Sequence, residues 1–206
     1  MTASCLKAAA LGVVALAAAL TVGPTAAAPK VGAPAPDFSV LDTKGETWSL
    51  GQLAGKQVIL EWTNHDCPFV RKHYESGNMQ ALQKEAGDAG YIWLSVISSA
   101  PGKQGHVTPA EADALTESRD ATPTAVLLDT SGAMGRAYDA KTTPHMYVID
   151  ASGTLVYMGG IDDRPTTKQA DVEGASNFVR LVMADLAAGN PVANPVTRPY
   201  GCSVKY

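Results

Sequence analysis

The chain has 206 residues, of which 46% are hydrophobic and 17% charged, and its formal net charge is −4 at pH 7. This length favours one compact domain. The acidic balance argues against nucleic acid as the main partner, because phosphate binding requires a basic face.

The first 28 residues have the layout of a secretory signal peptide. Lys7 provides a short positive region, residues 8–22 form an uncharged apolar run, and small residues follow, so we expect cleavage after Ala27 or Ala28. The run is shorter than the roughly 20 residues that a membrane span prefers. We therefore expect a secreted or periplasmic protein, free of the membrane once the signal is removed, with one domain over residues 29–206.

Predicted strands and helices alternate in the first half of this domain. They are a hairpin over residues 37–48, a short helix after Ser49, a strand over 57–62, a helix from Cys67-Pro68 that Ser76-Gly77 divides, a strand over 91–98 and a helix from Thr108 to Arg119. The run QVILEW is apolar except for one acid, which suits a central buried strand. Proline favours the first helical position, so Cys67 is predicted at or beside an N-cap.

The second half closes with a hairpin, a helix and a tail. The predicted elements are a strand over 124–128, a short helix over 131–138, paired strands over 145–150 and 154–158, a polar loop over 162–171, an amphipathic helix from Phe178 to Gly189 and a proline-rich tail over 190–206. Asp162-Asp163-Arg164 is expected to cap a turn and to form a weak surface ion pair. This order predicts an α/β fold with a mixed sheet covered on both faces.

Cys67 is the first candidate for chemistry. It is predicted where a strand ends and a helix begins, and the N–H groups and dipole of a helix start stabilise a thiolate. Arg71 and Lys72 lie about one turn further along and are expected to add positive potential. A thiolate is the nucleophile in disulfide exchange and in peroxide reduction. The alternative interpretation is a buried, inert cysteine.

Three segments resemble a known family. ILEWTNHDCPFVRKHY, TTPHMYVIDASGTLVYMGGIDD and the ending GCSVKY are similar to the redoxin group of the thioredoxin superfamily, which includes AhpC/TSA (peroxiredoxin-like) and thioredoxin-like periplasmic proteins. The resemblance covers residues 34–206. It implies a three-layer α/β/α sandwich with a mixed central sheet and an N-terminal β-hairpin. It also implies thiol-based redox chemistry, as an oxidoreductase or an antioxidant.

The resemblance assigns roles to particular residues. Cys67 matches the nucleophilic cysteine of the family. Thr143-Pro144 matches the loop that carries a cis-proline in thioredoxins and faces that cysteine. This loop is expected to shape a substrate groove, to which we also assign Pro68 and Trp62.

Two further positions have alternatives. Pro123, preceded by Thr122, competes with Pro144 for the cis-proline position, but Pro144 directly precedes the strand HMYVID. Glu61 lies six residues before Cys67, where thioredoxins similarly place a buried acid that moves protons, and burial would raise its pKa. The alternative is that Glu61 points outward or pairs with a lysine.

The chain departs from the family pattern at several positions. Thioredoxins carry a second cysteine three residues after the first, where this chain has Val70. Peroxiredoxins carry a proline and a threonine seven and three residues before their cysteine, and Leu60 and Asn64 stand there. Their activating arginine lies near the cis-proline, where this chain has Pro144-His145. Disulfide and peroxide therefore both stay open as substrates.

Cys202 is the candidate for the missing second thiol. The tail is long enough to fold back over the site, and a Cys67–Cys202 bridge would close a loop of more than 100 residues. A labile bridge makes Cys202 a resolving thiol, a permanent one makes it a structural staple, and in a third interpretation Cys202 stays free. The expected electron partner is an external thiol or disulfide, or a substrate protein, because the sequence carries no cofactor motif.

Histidines define a rival class of function. His65, His73 and His145 lie near Cys67 or the expected cis-proline, and thiolate plus imidazole is a ligand set for copper or zinc. A metal-binding or copper-trafficking module is therefore one alternative. A catalytically silent binding protein that keeps the fold is another. On its own, each histidine is expected to have an ordinary polar role.

Overall fold

The computed structural model describes Met1 and residues 28–206. The predicted signal peptide and its cleavage position therefore lie outside the described residues. In the described part, no helix combines the length and apolar character needed to cross a membrane.

Strands and helices follow the order predicted from the sequence. The strands are β1 (Ser39–Leu41), β2 (Thr47–Ser49), β3 (Val58–Trp62), β4 (Ile92–Ile97), β5 (Ala125–Leu128), β6 (Thr142–Thr143), β7 (His145–Ile149), β8 (Leu155–Gly159) and β9 (Cys202–Ser203). The α-helices are α1 (Pro68–Glu75), α2 (Asn78–Asp88), α3 (Pro109–Ser118), α4 (Ala133–Ala137) and α5 (Phe178–Ala187). Short 3₁₀ helices span Leu50–Leu53 and Gln169–Val172.

A five-stranded mixed sheet forms the centre, in the order β5-β4-β3-β7-β8. β3, β4 and β5 are parallel, whereas β7 runs antiparallel to both β3 and β8. β3 is buried along its whole length, as its apolar run predicts. β1 and β2 pair as the predicted N-terminal hairpin.

Hydrophobic clusters cover both faces of the sheet. Because strand side chains alternate, Leu60 and Trp62 of β3 pack on the face that carries the hairpin and α4, and Ile59 packs on the face that carries α1, α2 and α5. The fold is therefore the predicted α/β/α sandwich with a mixed sheet.

The tail is more ordered than its sequence indicates. Residues 190–206 were expected to lack regular structure, but Cys202–Ser203 forms β9, which pairs antiparallel with β6. Further upstream, the amide of Met158 donates to Pro195 O at 3.1 Å, and the amide of Thr197 donates to Met158 O at 3.2 Å. The tail thus follows the edge of the sheet at β8 and then crosses to the β6 segment.

Candidate active site around Cys67

Cys67 is the N-cap of α1, as predicted. Its amide donates to Asn64 O at 3.0 Å, closing the turn after β3, and its own carbonyl accepts the Arg71 amide at 2.9 Å, which begins the helix. Pro68 occupies the first helical turn, where its missing N–H has no cost. The Cys67 side chain has no exposed surface.

The turn before β7 faces this thiol. The Thr143–Pro144 peptide bond is cis, so the choice of Pro144 over Pro123 is confirmed. The Cys67 sulfur lies 3.0 Å from the Thr143 carbonyl oxygen and donates to it as a thiol. Cys67 and the Thr143-Pro144 turn therefore meet in the fold.

The C-terminal tail brings a second thiol to the same place. Cys202 pairs with Thr143 in the β6–β9 ribbon, and its thiol hydrogen-bonds the Cys67 sulfur. Gly201 passes so close that a Cβ would overlap the Thr143 carbonyl, and its φ of 136° disfavours a side chain. Cys67 and Cys202 are both free cysteines in this structure.

The two thiols have opposite pKa shifts. Burial raises the pKa of Cys67. Hydrogen bonds from the Cys202 thiol, the Thr143 hydroxyl and the amides of Cys202 and Val70 together lower this pKa by more than burial raises it, so the net shift is downward. The Thr143 carbonyl favours the protonated thiol, and these donors outweigh it. The pKa of Cys202 is raised by burial and by its hydrogen bond and charge interaction with Cys67. Cys67 is thus the more acidic thiol of the pair, and Cys202 the less acidic one.

Arg71 and Lys72 do not provide the positive potential that the sequence suggested. Arg71 is exposed and pairs with Glu75 at 2.8 Å. Lys72 is buried, and its Nζ lies 3.4 Å from the Asp162 carboxylate and 2.7 Å from Arg164 O. Neither charge is among the causes of the Cys67 pKa shift, which come from hydrogen bonds of neighbouring groups.

Asp162 differs from its predicted surface role. It does cap the turn, accepting the Arg164 amide at 2.9 Å, but its side chain is buried and accepts the hydroxyl of Tyr200. His73 Nε2 lies 3.1 Å from the same hydroxyl. No pattern in the sequence indicates this buried polar cluster beside the tail.

Comparison with known proteins assigns the family. Residues 31–158, more than half of the chain, match the model of the AhpC/TSA family. The chain belongs to the AhpC/TSA family. A thioredoxin-like protein of Bacillus subtilis, YneN, is 27% identical over 144 residues, which cover 69% of this chain and 79% of that protein.

Solved structures share the fold of this AhpC/TSA protein. An uncharacterised conserved protein from Geobacillus kaustophilus superimposes with a TM-score of 0.72 at 23% identity, covering 86% of this chain and 92% of its own. A putative thiol:disulfide interchange protein DsbE from Chlorobium tepidum gives 0.52 at 22% identity, covering 64% and 85%. These likenesses support the thioredoxin-like architecture.

Glu61 is fully buried in this AhpC/TSA protein, and the expected direction of its pKa shift is confirmed. Burial raises its pKa, and hydrogen bonds from Trp93, Tyr74 and Ser95 lower it in part. The donors lie at 3.0 Å, 2.9 Å and 2.9 Å respectively. The hydrogen bonds of Glu61 therefore go to this network and not to Cys67, and its role in proton transfer stays a prediction.

The prediction that Trp62 lines a substrate groove is wrong. Its side chain is fully buried, its indole N–H donates to Ser98 Oγ at 3.0 Å, and its ring packs on Tyr138 and Tyr147. Strand alternation explains this, because Trp62 ends β3 on the face opposite α1. Pro68, by contrast, is exposed beside Cys67 and is available to a substrate.

The histidines are held in separate environments. His65 faces Asp66 at 3.3 Å, His73 bonds Asn78 and Tyr200, and His145 Nδ1 lies 3.0 Å from the Tyr147 hydroxyl. Burial lowers the pKa of His73 and of His145 to about 4. Within residues 28–206, no three His, Cys, Asp or Glu side chains form a group that would hold a metal ion. This arrangement does not support a metal site built from Cys67 and these histidines.

Proposed function

We propose that this AhpC/TSA protein is a thiol–disulfide oxidoreductase in which Cys67 is the nucleophile and Cys202 the resolving thiol. One observation carries the proposal: two thiols from distant parts of the chain meet at the Thr143 turn with opposite pKa shifts. A lowered pKa provides the attacking thiolate near neutral pH. A neighbouring protonated thiol provides both a proton and a second nucleophile.

The reaction balances with these two thiols and one substrate disulfide. The Cys67 thiolate attacks one sulfur of the substrate, forming a mixed disulfide and releasing a substrate thiolate. Cys202 then loses its proton and attacks the Cys67 sulfur. The Cys67–Cys202 disulfide forms, and the second substrate thiolate leaves. The substrate gains two electrons from the cysteine pair, and an external thiol reductant returns them.

The surroundings of Cys67 favour a disulfide over a peroxide. Its thiolate is stabilised by hydrogen bonds, with no arginine among the causes of its pKa shift. Leu60 lies in the core, and the Asn64 side chain bonds the loop at Gln104 O and the Asp66 amide. The two positions that a peroxiredoxin uses before its cysteine are therefore occupied by residues engaged elsewhere.

The test is reduction of a disulfide substrate by the purified chain, with dithiothreitol as electron donor. Cys67→Ser should abolish the protein-dependent rate, because the thiol with the lowered pKa is removed and the pKa of the remaining Cys202 is raised. Once dithiothreitol has been removed after reduction, Cys202→Ser should trap a mixed disulfide on Cys67, visible as an added mass. Full activity of Cys67→Ser would contradict the proposal. Faster consumption of hydrogen peroxide than of the disulfide would favour the peroxiredoxin alternative.

We also assign the protein to an extracytoplasmic compartment, where an external thiol carrier would be its electron partner. The signal-like pattern of residues 1–28 supports this location. A protein of the same fold, from Chlorobium tepidum, is described as a putative thiol:disulfide interchange protein, and its likeness supports the fold alone. Cell fractionation with sequencing of the mature N-terminus tests the location, and a cytoplasmic chain that keeps residue 1 would contradict it.

A further inference from the structure

Tyr200 and Gly201, the two residues directly before Cys202, make contacts that play no part in the proposed thiol exchange. The Tyr200 ring packs edge-on against Phe69 with centroids 5.8 Å apart, and the Lys72 ammonium lies 5.6 Å from the ring centroid. The Tyr200 hydroxyl donates to Asp162 and lies 3.1 Å from His73 Nε2. Phe69, Lys72 and His73 belong to α1, the helix that begins at Cys67. Tyr200 therefore ties the tail to the helix of the nucleophile.

The polar partners of Tyr200 are themselves fixed. Asp162, Lys72 and His73 are 2%, 1% and 0% exposed, and the Lys72 ammonium compensates the buried Asp162 carboxylate. Asn78 Nδ2 lies 2.9 Å from His73 Nδ1, which suits a neutral ring whose Nε2–H donates to Tyr200. A hydroxyl that bonds a buried charged group is a stronger anchor than one that bonds water.

Gly201 sets the distance between this anchor and the thiol. With φ of 136°, it crosses the Thr143 carbonyl at a separation that leaves no room for a Cβ. The next residue, Cys202, then pairs with Thr143 and reaches the Cys67 sulfur. In the tripeptide Tyr200-Gly201-Cys202, the first residue anchors the tail, the second crosses the Thr143 carbonyl at close range and the third carries the thiol.

We infer that Tyr200 and Gly201 are positioning residues that hold Cys202 against Cys67 and so set the rate at which the mixed disulfide is resolved. The inference rests on the proposed resolving role of Cys202. A thiol on a free tail samples many positions, and an anchor that restricts it raises its effective concentration at the sulfur it attacks. The same anchor keeps Cys67 covered before a substrate arrives.

The experiment separates attack from resolution with 5,5′-dithiobis(2-nitrobenzoate) as the probe. In a Cys5→Ser background, where Cys67 and Cys202 are the remaining cysteines, the reduced full chain releases one thionitrobenzoate when Cys67 attacks and a second when Cys202 displaces the first adduct. In Tyr200→Phe we expect a faster first phase, because the tail opens more often, and a second phase slower by about tenfold, as loss of one hydrogen bond to a charged group implies. The equilibrium constant for Cys67–Cys202 formation with glutathione should fall by a similar factor.

Two variants keep the test decisive. Tyr138→Phe removes another buried tyrosine hydroxyl, bonded to Pro36 O at 2.6 Å on the face of the sheet opposite Tyr200, and should leave both phases unchanged. Gly201→Ala keeps the Tyr200 side chain and displaces the tail where it crosses the Thr143 carbonyl, and should slow the second phase even if Tyr200→Phe does not fold. If the second phase in both Tyr200→Phe and Gly201→Ala is as fast as in the wild-type chain, Tyr200 and Gly201 do not position Cys202. If the wild-type chain shows no first phase, or if Cys202→Ser shows a normal second phase, the result would instead contradict the proposed function.

Discussion

The reactivity of Cys67 depends on groups that hydrogen-bond its sulfur. A helix start lowers a thiol pKa through N–H groups and the dipole, and this local effect was predictable from Cys67-Pro68. The remaining donors come from Thr143 and Cys202, which are remote in sequence. The sequence therefore predicted the direction of the shift but assigned part of it to Arg71 and Lys72, which pair with other acids.

His145 gives a prediction about stability against pH. Burial lowers its pKa from 6.5 to about 4, so the folded state resists a proton that the unfolded chain binds. Its contribution to the free energy of unfolding is complete above pH 6.5 and is lost as pH falls towards 4. A shift of this size corresponds to roughly 3 kcal/mol. In His145→Asn, whose side-chain oxygen replaces the Nδ1 acceptor, the loss between pH 7 and pH 4 should be smaller by about this amount.

Urea unfolding at pH 7 and pH 4 measures this difference. His106→Asn, in the loop before α3, controls for removal of a histidine. If the wild-type chain and His145→Asn lose the same free energy of unfolding on acidification, His145 is not the source of the pH dependence.

At the scale of elements, α1 connects Cys67 to the tail that covers it. It begins at Cys67, and its buried Lys72 and His73 lie at the anchor of Tyr200. Beyond β9, the Val204 amide donates to Lys141 O at 3.1 Å, and the Ala100 amide donates to Lys205 O at 2.8 Å. The tail is thus fastened on both sides of Cys202 and covers a Cys67 side chain that has no exposed surface.

Removing the tail should expose Cys67. A chain that ends at Pro199 lacks Tyr200 and Cys202, which pack against the cluster around Cys67. We expect alkylation of Cys67 by iodoacetamide to accelerate at least about tenfold, because a thiol with no exposed surface reacts only when the structure opens locally. Peptide mass spectrometry gives the rate. Cys202→Ser in the full-length chain is the control that keeps the cover, and equal rates in these two proteins would mean that the tail does not shield the thiol.

Elements were predictable where sequence pattern and local chemistry agree. The apolar run of β3, the proline after Cys67 and the helix start at Thr108 are each specified within a few residues, and all three appear as predicted. β6 and β9 were not predictable, because strands of two residues carry no periodicity and exist through pairing with each other. The burial of Asp162 was missed for the same reason, since its partners Lys72 and Tyr200 lie far away in the chain.

For the whole molecule, the tail links parts of the fold that are otherwise far apart in the chain. It follows the edge strand β8, passes the Cys67 turn and ends where the Tyr206 hydroxyl donates to Ala140 O at 2.9 Å. An unpaired edge strand is a site for association with other chains, and the tail covers part of β8. The segment that carries Cys202 therefore belongs to the folded domain.

This arrangement predicts that oxidation stabilises the protein. Because Cys67 and Cys202 already meet, a bridge requires little rearrangement, and it closes a loop of more than 100 residues in the unfolded chain. On the chain-entropy model such a loop raises the free energy of unfolding by up to about 4–5 kcal/mol. The oxidised chain should therefore melt several degrees above the reduced chain in calorimetry at the same pH. Cys202→Ser should melt at one temperature with or without reductant. An oxidised wild-type chain that melts at or below the reduced one would mean that the bridge strains the fold, and that the reduced pairing of the two thiols is the more stable arrangement.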